Sequence, residues 1–363
     1  MSVDLGDFYR KTRAARKIIV VDLGFLGDSV HLVPALWELK RNYPGAELQV
    51  LTTPLGAEVL ALVPCVDRTW GLTLGRGRRT WREQVRMVRA LRREQFDAAF
   101  NFSGADRTVF MTALCGARWR VAHVGGRWHF WNPWLIPLWI PRQPATGPVC
   151  ERRRQMLAMC GLELAAARYD LRIQEEDQRW AREEVPEGSI HLSINASTHL
   201  KEWPLDKWIE LGRQLGEERA GPRILATASG SPREQRRLEA FEAALGKTTG
   251  LLVFKDLTIA RLAALLSRCG LHVGADSGVL HLAVALGKPT VSLFRDYAGV
   301  KGWLPSGPSH RAFMVACPCS GQRRAACLGR PAAECLAAIE IGAVAEAVLQ
   351  QLAAHTPGGV AKP

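Results

Sequence analysis

Residues 274–294 combine a turn of small residues with acidic, hydroxyl and imidazole side chains. They read GADSGVLHLAVALGKPTVSLF. A helix is predicted over 279–286, because apolar residues recur there at helical spacing. The free N–H groups and positive dipole at the start of such a helix form a site for an anion, above all phosphate. Asp276 or Ser277 capping the helix is the simpler alternative, and capping does not exclude binding. The spacing matches neither GxGxxG nor a Walker loop.

A second carboxylate, Asp28, ends a glycine-rich turn that follows the apolar run KIIVVDL. Residues 17–23 are typical of a buried parallel strand, and residues 29–42 of an amphipathic helix. Asp28 is therefore predicted at the carboxyl end of a strand, where open α/β sheets place their ligands. Its alternative role is the N-cap of the helix. His31 lies one helical turn later on the same face, where it orients Asp28, contacts a ligand or is a buried histidine.

A third candidate site is residues 195–208, NASTHLKEWPLDKW, between a predicted strand and a predicted helix. The hydroxyls of Ser197 and Thr198 and the ammonium of Lys201 suit a diphosphate. The alternative is that Lys201 is a surface lysine near a helix N-terminus. Because the helix dipole disfavours a cation there, its position points to an anionic partner.

All three segments resemble the motifs of glycosyltransferase family 9, the ADP-heptose:lipopolysaccharide heptosyltransferases. The C-terminal family pattern is matched by Gly274, Asp276, Ser277, Gly278, His281, Leu282, Ala285, Leu286, Pro289 and Thr290. The N-terminal pattern is matched by Gly24, Gly27, Asp28, Pro34, Ala35 and Leu36. The loop pattern is matched by Ser197, Thr198, Lys201, Trp203 and Pro204. The motifs occur in the family's order and cover both halves of the chain.

The resemblance implies the GT-B architecture, in which two Rossmann-like, doubly wound α/β domains face each other across a cleft. The first domain, residues 1–172, is expected to bind the acceptor, and the second, residues 173–363, the nucleotide sugar. The implied reaction is the inverting transfer of heptose from ADP-heptose to a lipopolysaccharide core acceptor. The alternatives are another donor sugar, a protein acceptor, or a non-catalytic nucleotide-sugar-binding protein at the membrane.

The resemblance also implies roles for individual residues. Asp28 is the general base that takes the proton of the acceptor hydroxyl, and Lys201 neutralises the charge growing on the leaving nucleotide. Donor binding is expected from Ser197, Thr198, Lys201, Asp276, Ser277, Gly278 and His281. Asp276 is expected to bind sugar hydroxyls, and His281 is alternatively a core histidine. Acceptor binding is expected from Gly27, His31 and Arg107. No cofactor is required, and Asp22 stands where many relatives carry a basic residue.

The predicted elements alternate between strand and helix, as in open parallel sheets. Further strands are predicted at 47–52, 97–102, 118–123, 190–194, 223–228, 250–254, 271–273 and 289–294. Further helices are predicted at 204–215, 233–245, 258–269 and 339–354. Residues 170–188 are predicted to be a charged linker. Residues 4–17 are predicted to be a solvated helix or arm, with a membrane-surface segment as the alternative.

The charge of the chain points to an anionic partner. Its net charge is +13, and residues 1–172 hold 26 Lys and Arg against 15 Asp and Glu, whereas the rest holds 22 against 20. Nucleic acid and an anionic membrane surface are the candidates. A stripe along one face of a predicted helix is formed by Arg79, Arg82, Arg86, Arg89 and Arg93. Arg76, Arg78 and Arg92 add to this cluster.

Residues 128–141 hold four of the twelve tryptophans, Trp128, Trp131, Trp134 and Trp139, between prolines. This composition predicts an interfacial loop and not a helix or a core strand. Because we find no nucleic-acid motif, a glycolipid acceptor at an anionic inner-membrane surface is the favoured partner. The N-terminus has no apolar signal region, and no apolar run is long enough to span a bilayer. We therefore expect a cytoplasmic protein, peripheral on the cytoplasmic face of the inner membrane.

Nine cysteines, an odd number, do not indicate a disulfide framework. Four of them, Cys317, Cys319, Cys327 and Cys335, fall within nineteen residues, which is compatible with bound zinc or iron. Their spacing begins with C-x-C and matches no standard zinc finger, so structural cysteines are the alternative.

Overall fold

The structure of the protein is a computed structural model that describes residues 4–75, 78–123, 131–141, 147–216, 223–246, 250–317 and 332–355, without the side chains of 78–80. The chain divides into two compact units, which we call unit 1 (Met1–Arg172) and unit 2 (Ile173–Pro363). No helix in these described ranges is long and apolar enough to cross a membrane.

The described part of unit 1 contains a sheet of six parallel strands in the order β3-β2-β1-β4-β5-β6. Its strands are β1 (Lys17–Val21), β2 (Glu47–Thr52), β3 (Arg68–Gly71), β4 (Ala98–Asn101), β5 (Trp119–His123) and β6 (Leu138–Ile140). Its helices are α1 (Phe8–Thr12), α2 (Leu26–Asn42), α3 (Pro54–Leu60), α4 (Arg78–Arg93), α5 (Asp106–Leu114), α6 (Asn132–Leu135) and α7 (Val149–Met159). This is the doubly wound order, in which the winding reverses between β1 and β4.

Helices cover both faces of the sheet of unit 1 at its centre, which is why β1 and β4 are almost continuously apolar. Side chains alternate between the faces. Ile18 and Val20 pack in one core with residues of α1, α2 and α7. Ile19 and Val21 pack in the other core with residues of α4 and α5. Helices thus cover the sheet on both sides and leave the carboxyl ends of the strands to the loops.

The described part of unit 2 repeats this plan, with parallel strands in the order β12-β11-β10-β7-β8-β9. Its strands are β7 (Ile190–Ser193), β8 (Ile224–Ala228), β9 (Leu252–Lys255), β10 (Leu271–Ala275), β11 (Thr290–Arg295) and β12 (His310–Val315). Its helices are α8 (Glu175–Glu184), α9 (Leu205–Gly216), α10 (Pro232–Leu245), α11 (Ile259–Arg268), α12 (Gly278–Ala285), α13 (Glu334–Ala337) and α14 (Ile341–His355). The winding reverses between β7 and β10.

One face of the sheet of unit 2 is apolar, and the other carries a buried polar layer. Trp208 of α9, Phe241 of α10 and Val344 of α14 lie in the apolar core. On the polar side, Nδ1 of His191 lies 2.9 Å from Nδ1 of His272. Nε2 of His191 lies 3.0 Å from the hydroxyl of Thr227. Burial lowers the pKa of His191 to about 3 and that of His272 well below 6.5, so both imidazoles are neutral.

The strands and helices predicted by periodicity are confirmed, with small differences at their ends. The linker predicted at 170–188 is wrong over most of its length, because Glu175–Glu184 form α8. This helix packs on α11, with Ala181 buried and the Trp180 ring 5.8 Å from that of Phe254. The solvated helix or arm predicted for 4–17 contains a helix, α1, but it is not solvated at Phe8, whose buried ring lies 5.3 Å from that of Phe100.

The interfacial loop predicted for 128–141 is wrong where the structure describes it. Residues 132–135 form α6, and β6 pairs with β5 along the sheet edge. Ile136 and Ile140 are buried, and Trp139 is partly covered, whereas Trp134 is exposed. The aliphatic residues between the tryptophans therefore form ordered core structure. Trp128 lies outside the described residues.

The helix that carries the predicted arginine stripe is confirmed as α4. Within it, Arg82, Arg86, Arg89 and Arg93 are all exposed, as a stripe on a solvated face requires. Arg76 and the side chains of Arg78 and Arg79 lie outside the described residues.

Candidate active site

The two candidate segments of unit 2 follow its two central strands. Residues 195–203 follow β7, and residues 276–278 connect β10 to α12. Because β7 and β10 are neighbouring parallel strands, both segments lie at the carboxyl edge of the sheet, at the point where the winding reverses. This is the crevice in which doubly wound sheets bind their ligands.

The structure brings Lys201 and Asp276 together. Nζ of Lys201 lies 2.7 Å from Oδ2 of Asp276, and the hydroxyl of Tyr297 donates to the same oxygen at 3.0 Å. Nε2 of His281 lies 3.8 Å from the other carboxylate oxygen. Lys201 also lies 5.6 Å from the centre of the Tyr297 ring. These contacts assemble one cation, one carboxylate, one phenol and one imidazole around a single point.

Asp276 is ionised in this cluster. Its burial disfavours the charged carboxylate, but His281 and Lys201 outweigh that cost, so the pKa of Asp276 falls to about 2. Burial also raises the pKa of Tyr297, and the neighbouring carboxylate adds to this effect, so the phenol keeps its proton. Asp276 is therefore a pure acceptor at neutral pH and can bind donors such as sugar hydroxyls.

Ser277 occupies the N-cap position of α12, but its hydroxyl makes no cap hydrogen bond. The Oγ atom is buried and has no hydrogen-bond partner among the described residues. The capping alternative therefore does not account for this hydroxyl. Gly278 begins the helix, and the first N–H groups of a helix have no acceptor within it. A buried hydroxyl and free N–H groups at a helix start suit an anion.

Two arginines of α10 hold the backbone of residues 195–203 in place. Arg233 donates to the carbonyl of Ala196 and pairs with buried Glu202, and Arg237 donates to the carbonyls of Ile194 and Trp203. The side chains of Ser197 and Thr198 are left exposed at the top of the loop. The loop is thus fixed at its base and presents its hydroxyls outward.

Sequence reasoning missed Tyr297 as a member of this site and gave no role to Asn195, although the predicted segment 195–208 begins with it. Asn195 is buried, and neither its Oδ1 nor its Nδ2 has a hydrogen-bond partner among the described residues. An unsatisfied buried amide at the carboxyl end of a strand is a signal for a ligand. The asparagine that opens the NAST run offered this signal in the sequence, whereas Tyr297 lies 21 residues from its partner Asp276 and offered none.

In unit 1, Asp28 lies at the third position of α2 and is not its N-cap. Its Oδ2 accepts the N–H of Phe25 at 3.1 Å, so the carboxylate closes the first turn of the helix. The predicted N-cap role is therefore wrong, and the helix begins before Ser29. The side chain is about a quarter exposed, with 27% of its surface open, and it lies after β1 at the reversal of winding in unit 1.

Arg153 of α7 is a second contact of Asp28 that the sequence did not indicate. Its NH2 lies 3.3 Å from Oδ1 of Asp28 and 2.9 Å from Oδ2 of buried Asp22, and its NH1 also donates to the backbone carbonyl of Asp28. Arg153 is itself buried. One guanidinium therefore binds two carboxylates and fixes the candidate base against the end of β1.

The other residues predicted to bind the acceptor lie at different places in unit 1. Gly27 is buried within α2. His31 is buried, and its Nδ1 lies 3.5 Å from the hydroxyl of Tyr169, which agrees with the buried-histidine alternative. Arg107 lies on α5, where it lines a pocket of 560 Å³ together with Arg89 of α4.

The predicted zinc or iron site is only partly described. Cys317 and Cys335 are buried in the apolar core of unit 2, whereas Cys319 and Cys327 lie outside the described residues. In the ranges that the structure covers, no group of three or more His, Cys, Asp or Glu side chains is placed to hold a metal ion.

The chain was compared with known proteins. Residues 84–332 match the family model of glycosyltransferase family 9 (heptosyltransferase). Lipopolysaccharide heptosyltransferase 1 of Pseudomonas aeruginosa is 27% identical over 291 residues, covering 77% of this chain and 78% of the relative. The family model covers more than half of the chain, in one continuous match.

Solved structures share the fold. The glycosyl transferase family 9 protein of Veillonella parvula has a TM-score of 0.80 at 18% identity, covering 97% of this chain and 98% of that one. The ADP-heptose lipopolysaccharide heptosyltransferase II of Escherichia coli has a TM-score of 0.72 at 19% identity, covering 93% and 98%. With the match to the family model, these comparisons show that the chain belongs to glycosyltransferase family 9 (heptosyltransferase) and is a glycosyltransferase.

Proposed function

We propose that the protein transfers heptose from ADP-heptose to a lipopolysaccharide core acceptor, with inversion at the anomeric carbon. The observation that carries the proposal is the buried Asp276 carboxylate, held by Lys201 beside the start of α12. This pair offers a cation to a diphosphate and an acceptor to sugar hydroxyls. The similarity to the P. aeruginosa lipopolysaccharide heptosyltransferase 1 and the E. coli ADP-heptose heptosyltransferase II supports the choice of donor and acceptor.

Donor binding is assigned to unit 2. The diphosphate would receive hydrogen bonds from Ser277, from the N–H of Gly278 and from the exposed hydroxyls of Ser197 and Thr198. The side chain of Lys201 is 28% exposed and lies beside Asp276, near the proposed diphosphate site. It can therefore neutralise a phosphate while it remains close to Asp276. His281 lies on the other side of that carboxylate and would contact the donor there.

The chemical step is assigned to Asp28. Its carboxylate takes the proton of the acceptor hydroxyl as that oxygen forms a bond to the anomeric carbon. The bond from this carbon to the β-phosphate oxygen breaks, and its electron pair leaves with ADP. Lys201 stabilises the negative charge that develops on the leaving phosphate. The step needs the hydroxyl near Asp28 to meet the donor held by unit 2, so the cleft between the units stays a prediction.

The acceptor and its location belong to the same proposal. Gly27 and Arg107 of unit 1 are assigned to the acceptor, which is a glycolipid. Transfer to it would take place on the cytoplasmic face of the inner membrane, with the protein bound peripherally. No cofactor is assigned to the reaction, and zinc or iron at the cysteine cluster stays a prediction.

The test is the release of ADP by the purified protein, with ADP-heptose and a truncated core lipid as substrates. We expect turnover by the wild type and a loss of about a hundredfold or more in kcat for Asp28→Asn, with the donor affinity unchanged. Lys201→Ala should instead weaken both donor binding and kcat.

Two outcomes would contradict the proposal. Full activity of Asp28→Asn would remove this residue from the role of base. Turnover with a UDP- or GDP-sugar, without binding of ADP-heptose, would leave the family assignment intact and refute the substrate.

A further inference from the structure

Adjoining helices of unit 1 expose large apolar side chains. Of the ten large apolar side chains that are exposed in the described residues, Trp134 lies on α6, and Trp81, Phe110 and Leu114 lie on α4 and α5 around one pocket. These three helices adjoin, because α5 contacts both α4 and α6. Large exposed apolar groups gathered on one face are a feature of surfaces that bind a partner.

Two of these helices enclose a trough between them. Its volume is 560 Å³, and its lining includes Trp81 and Val88 of α4 and Phe110 and Leu114 of α5. Apolar side chains supply most of its wall. A volume of this size accepts an aliphatic chain, and burying such a chain here would remove apolar surface from water on both partners.

The trough has a cationic rim. Arg89 and Arg107 line it, and Arg82 and Arg86 are exposed on the preceding turns of α4. Residues 76–93 contain eight arginines and a single acid, Glu83. The trough therefore fits an amphiphile whose anionic group meets guanidinium groups while its apolar chain enters between the helices.

The same features argue against two other occupants. A two-fold dimer through this face would place the arginine stripe of one copy against that of the other, which like charges oppose. Nucleic acid would satisfy the arginines but would supply no aliphatic chain for the trough. An anionic bilayer satisfies both parts of the surface.

We propose that the α4–α5 face is a docking surface for an anionic lipid bilayer, with the trough receiving a lipid acyl chain. The proposal deepens the proposed function, since it rests on a membrane-bound acceptor, and it names the part of the protein that meets the membrane. Arginines bind lipid phosphates at the headgroup level, and Trp81 and Phe110 lie below it in the acyl boundary.

The test is sedimentation of the full-length protein with vesicles of phosphatidylcholine mixed with phosphatidylglycerol. We expect binding that weakens with salt and is absent on phosphatidylcholine alone. Phe110→Glu and Leu114→Glu, which change side chains that are 41% and 42% exposed, should each weaken binding about tenfold. The matched control is Leu349→Glu on α14 of unit 2, which is 45% exposed and should bind like the wild type.

A second measurement reports insertion directly. Phosphatidylglycerol with brominated acyl chains should quench part of the tryptophan fluorescence, and Trp81→Phe should lose that part. Equal binding by Phe110→Glu, Leu114→Glu and Leu349→Glu would overturn the proposal. So would displacement of the protein by inorganic phosphate at low salt, since it would show that headgroup charge alone is bound.

The failure of this proposal is distinguishable from the failure of the proposed function. ADP release with a deacylated, water-soluble core acceptor tests catalysis without a membrane, and Leu114→Glu, about two helical turns from Arg107, should leave it unchanged. If Phe110→Glu instead altered the oligomeric state seen by light scattering, without vesicle binding by the wild type, the face would be a contact between copies.

Discussion

Arg153 is the residue on which the position of the candidate base depends. It contacts the carboxylates of Asp22 and Asp28 from a helix more than a hundred residues away in the sequence. Asp22 is buried, so this arginine also supplies the charge that makes its burial tolerable. The cation beside the end of β1 thus comes from α7.

We expect Arg153→Met to lower kcat about a hundredfold, because the Asp28 carboxylate loses its orientation. The variant should also lose about 3 kcal/mol of unfolding free energy, since Asp22 is left buried without its partner. Steady-state kinetics and thermal unfolding measure the two effects.

A control distinguishes the effect of Arg153 on the orientation of Asp28 from its effect on the stability of the fold. Asp22→Asn combined with Arg153→Met removes both buried charges and should recover most of the stability, but not kcat. Arg153→Lys should recover part of kcat. A double variant with wild-type kcat would show that Arg153 acts only on stability.

The residues of the candidate site differ in how far the sequence could predict them. Asp276 directly follows β10, and Asp28 and Lys201 lie within about eight residues of the ends of β1 and β7, so their place at the sheet edge follows from local pattern. The contact of Lys201 with Asp276 joins residues 75 positions apart, and that of Arg153 with Asp28 joins residues 125 apart. Only the packing of strands and helices decides such pairs, which no local pattern contains.

At the scale of the element, the turn between β1 and α2 depends on a glycine. A Cβ placed on Gly24 would lie 2.3 Å from Cβ of Asp28 and 2.6 Å from its Cγ. The N–H of Gly24 also donates to Oδ1 of Asp22 at 2.9 Å. The missing side chain is what lets the first turn of α2 bring Asp28 back over the end of the strand.

Gly24→Ala should therefore displace the Asp28 side chain and lower kcat about a hundredfold, with little change in donor affinity. The matched control is Gly45→Ala in the turn after α2, where a Cβ would meet nothing within 4 Å. We expect that variant to behave as the wild type in the ADP-release assay. Equal activity of the two variants would refute the steric argument.

Helices and strands could be predicted where a single sequence pattern was present. They were missed where the same residues suggested two different structures. The strand residues 18–21 are an uninterrupted apolar run, and α4 has an arginine stripe at helical spacing. Residues 131–141 combine tryptophan and proline, which suggest an interfacial loop, with Ile136 and Ile140, which the sheet buries. Tertiary burial decided the structure of that segment.

At the scale of the molecule, the buried histidines in the polar layer of unit 2 should lower its stability at acidic pH. His191 and His272 are fully buried and neutral, with the pKa of His191 lowered from 6.5 to about 3. Between pH 6.5 and pH 3 the unfolded chain binds protons that the folded chain does not, so unfolding becomes easier as the pH falls. Above pH 6.5 this effect disappears.

For His191 alone, the loss at pH 5 should be about 2 kcal/mol of unfolding free energy relative to pH 7. Thermal unfolding of the wild type and of His191→Gln across this range measures it, and the variant should show a smaller slope. His355→Gln, on the exposed end of α14, is the control and should keep the slope. A wild-type melting temperature that is constant from pH 7 to pH 4.5 would refute the prediction.

Because α14 is the last described helix of the chain, the fold of unit 2 is completed late in its synthesis. This helix packs on α9, β10 and β11, and its Val344 and Val348 belong to the apolar core. On the ribosome, the chain that forms the sheet emerges before the helix that covers it, so nascent unit 2 exposes an apolar sheet face until α14 has left the ribosome. Chaperones that bind nascent chains would contact this apolar face. A premature stop codon before Ile341 would leave the face exposed permanently.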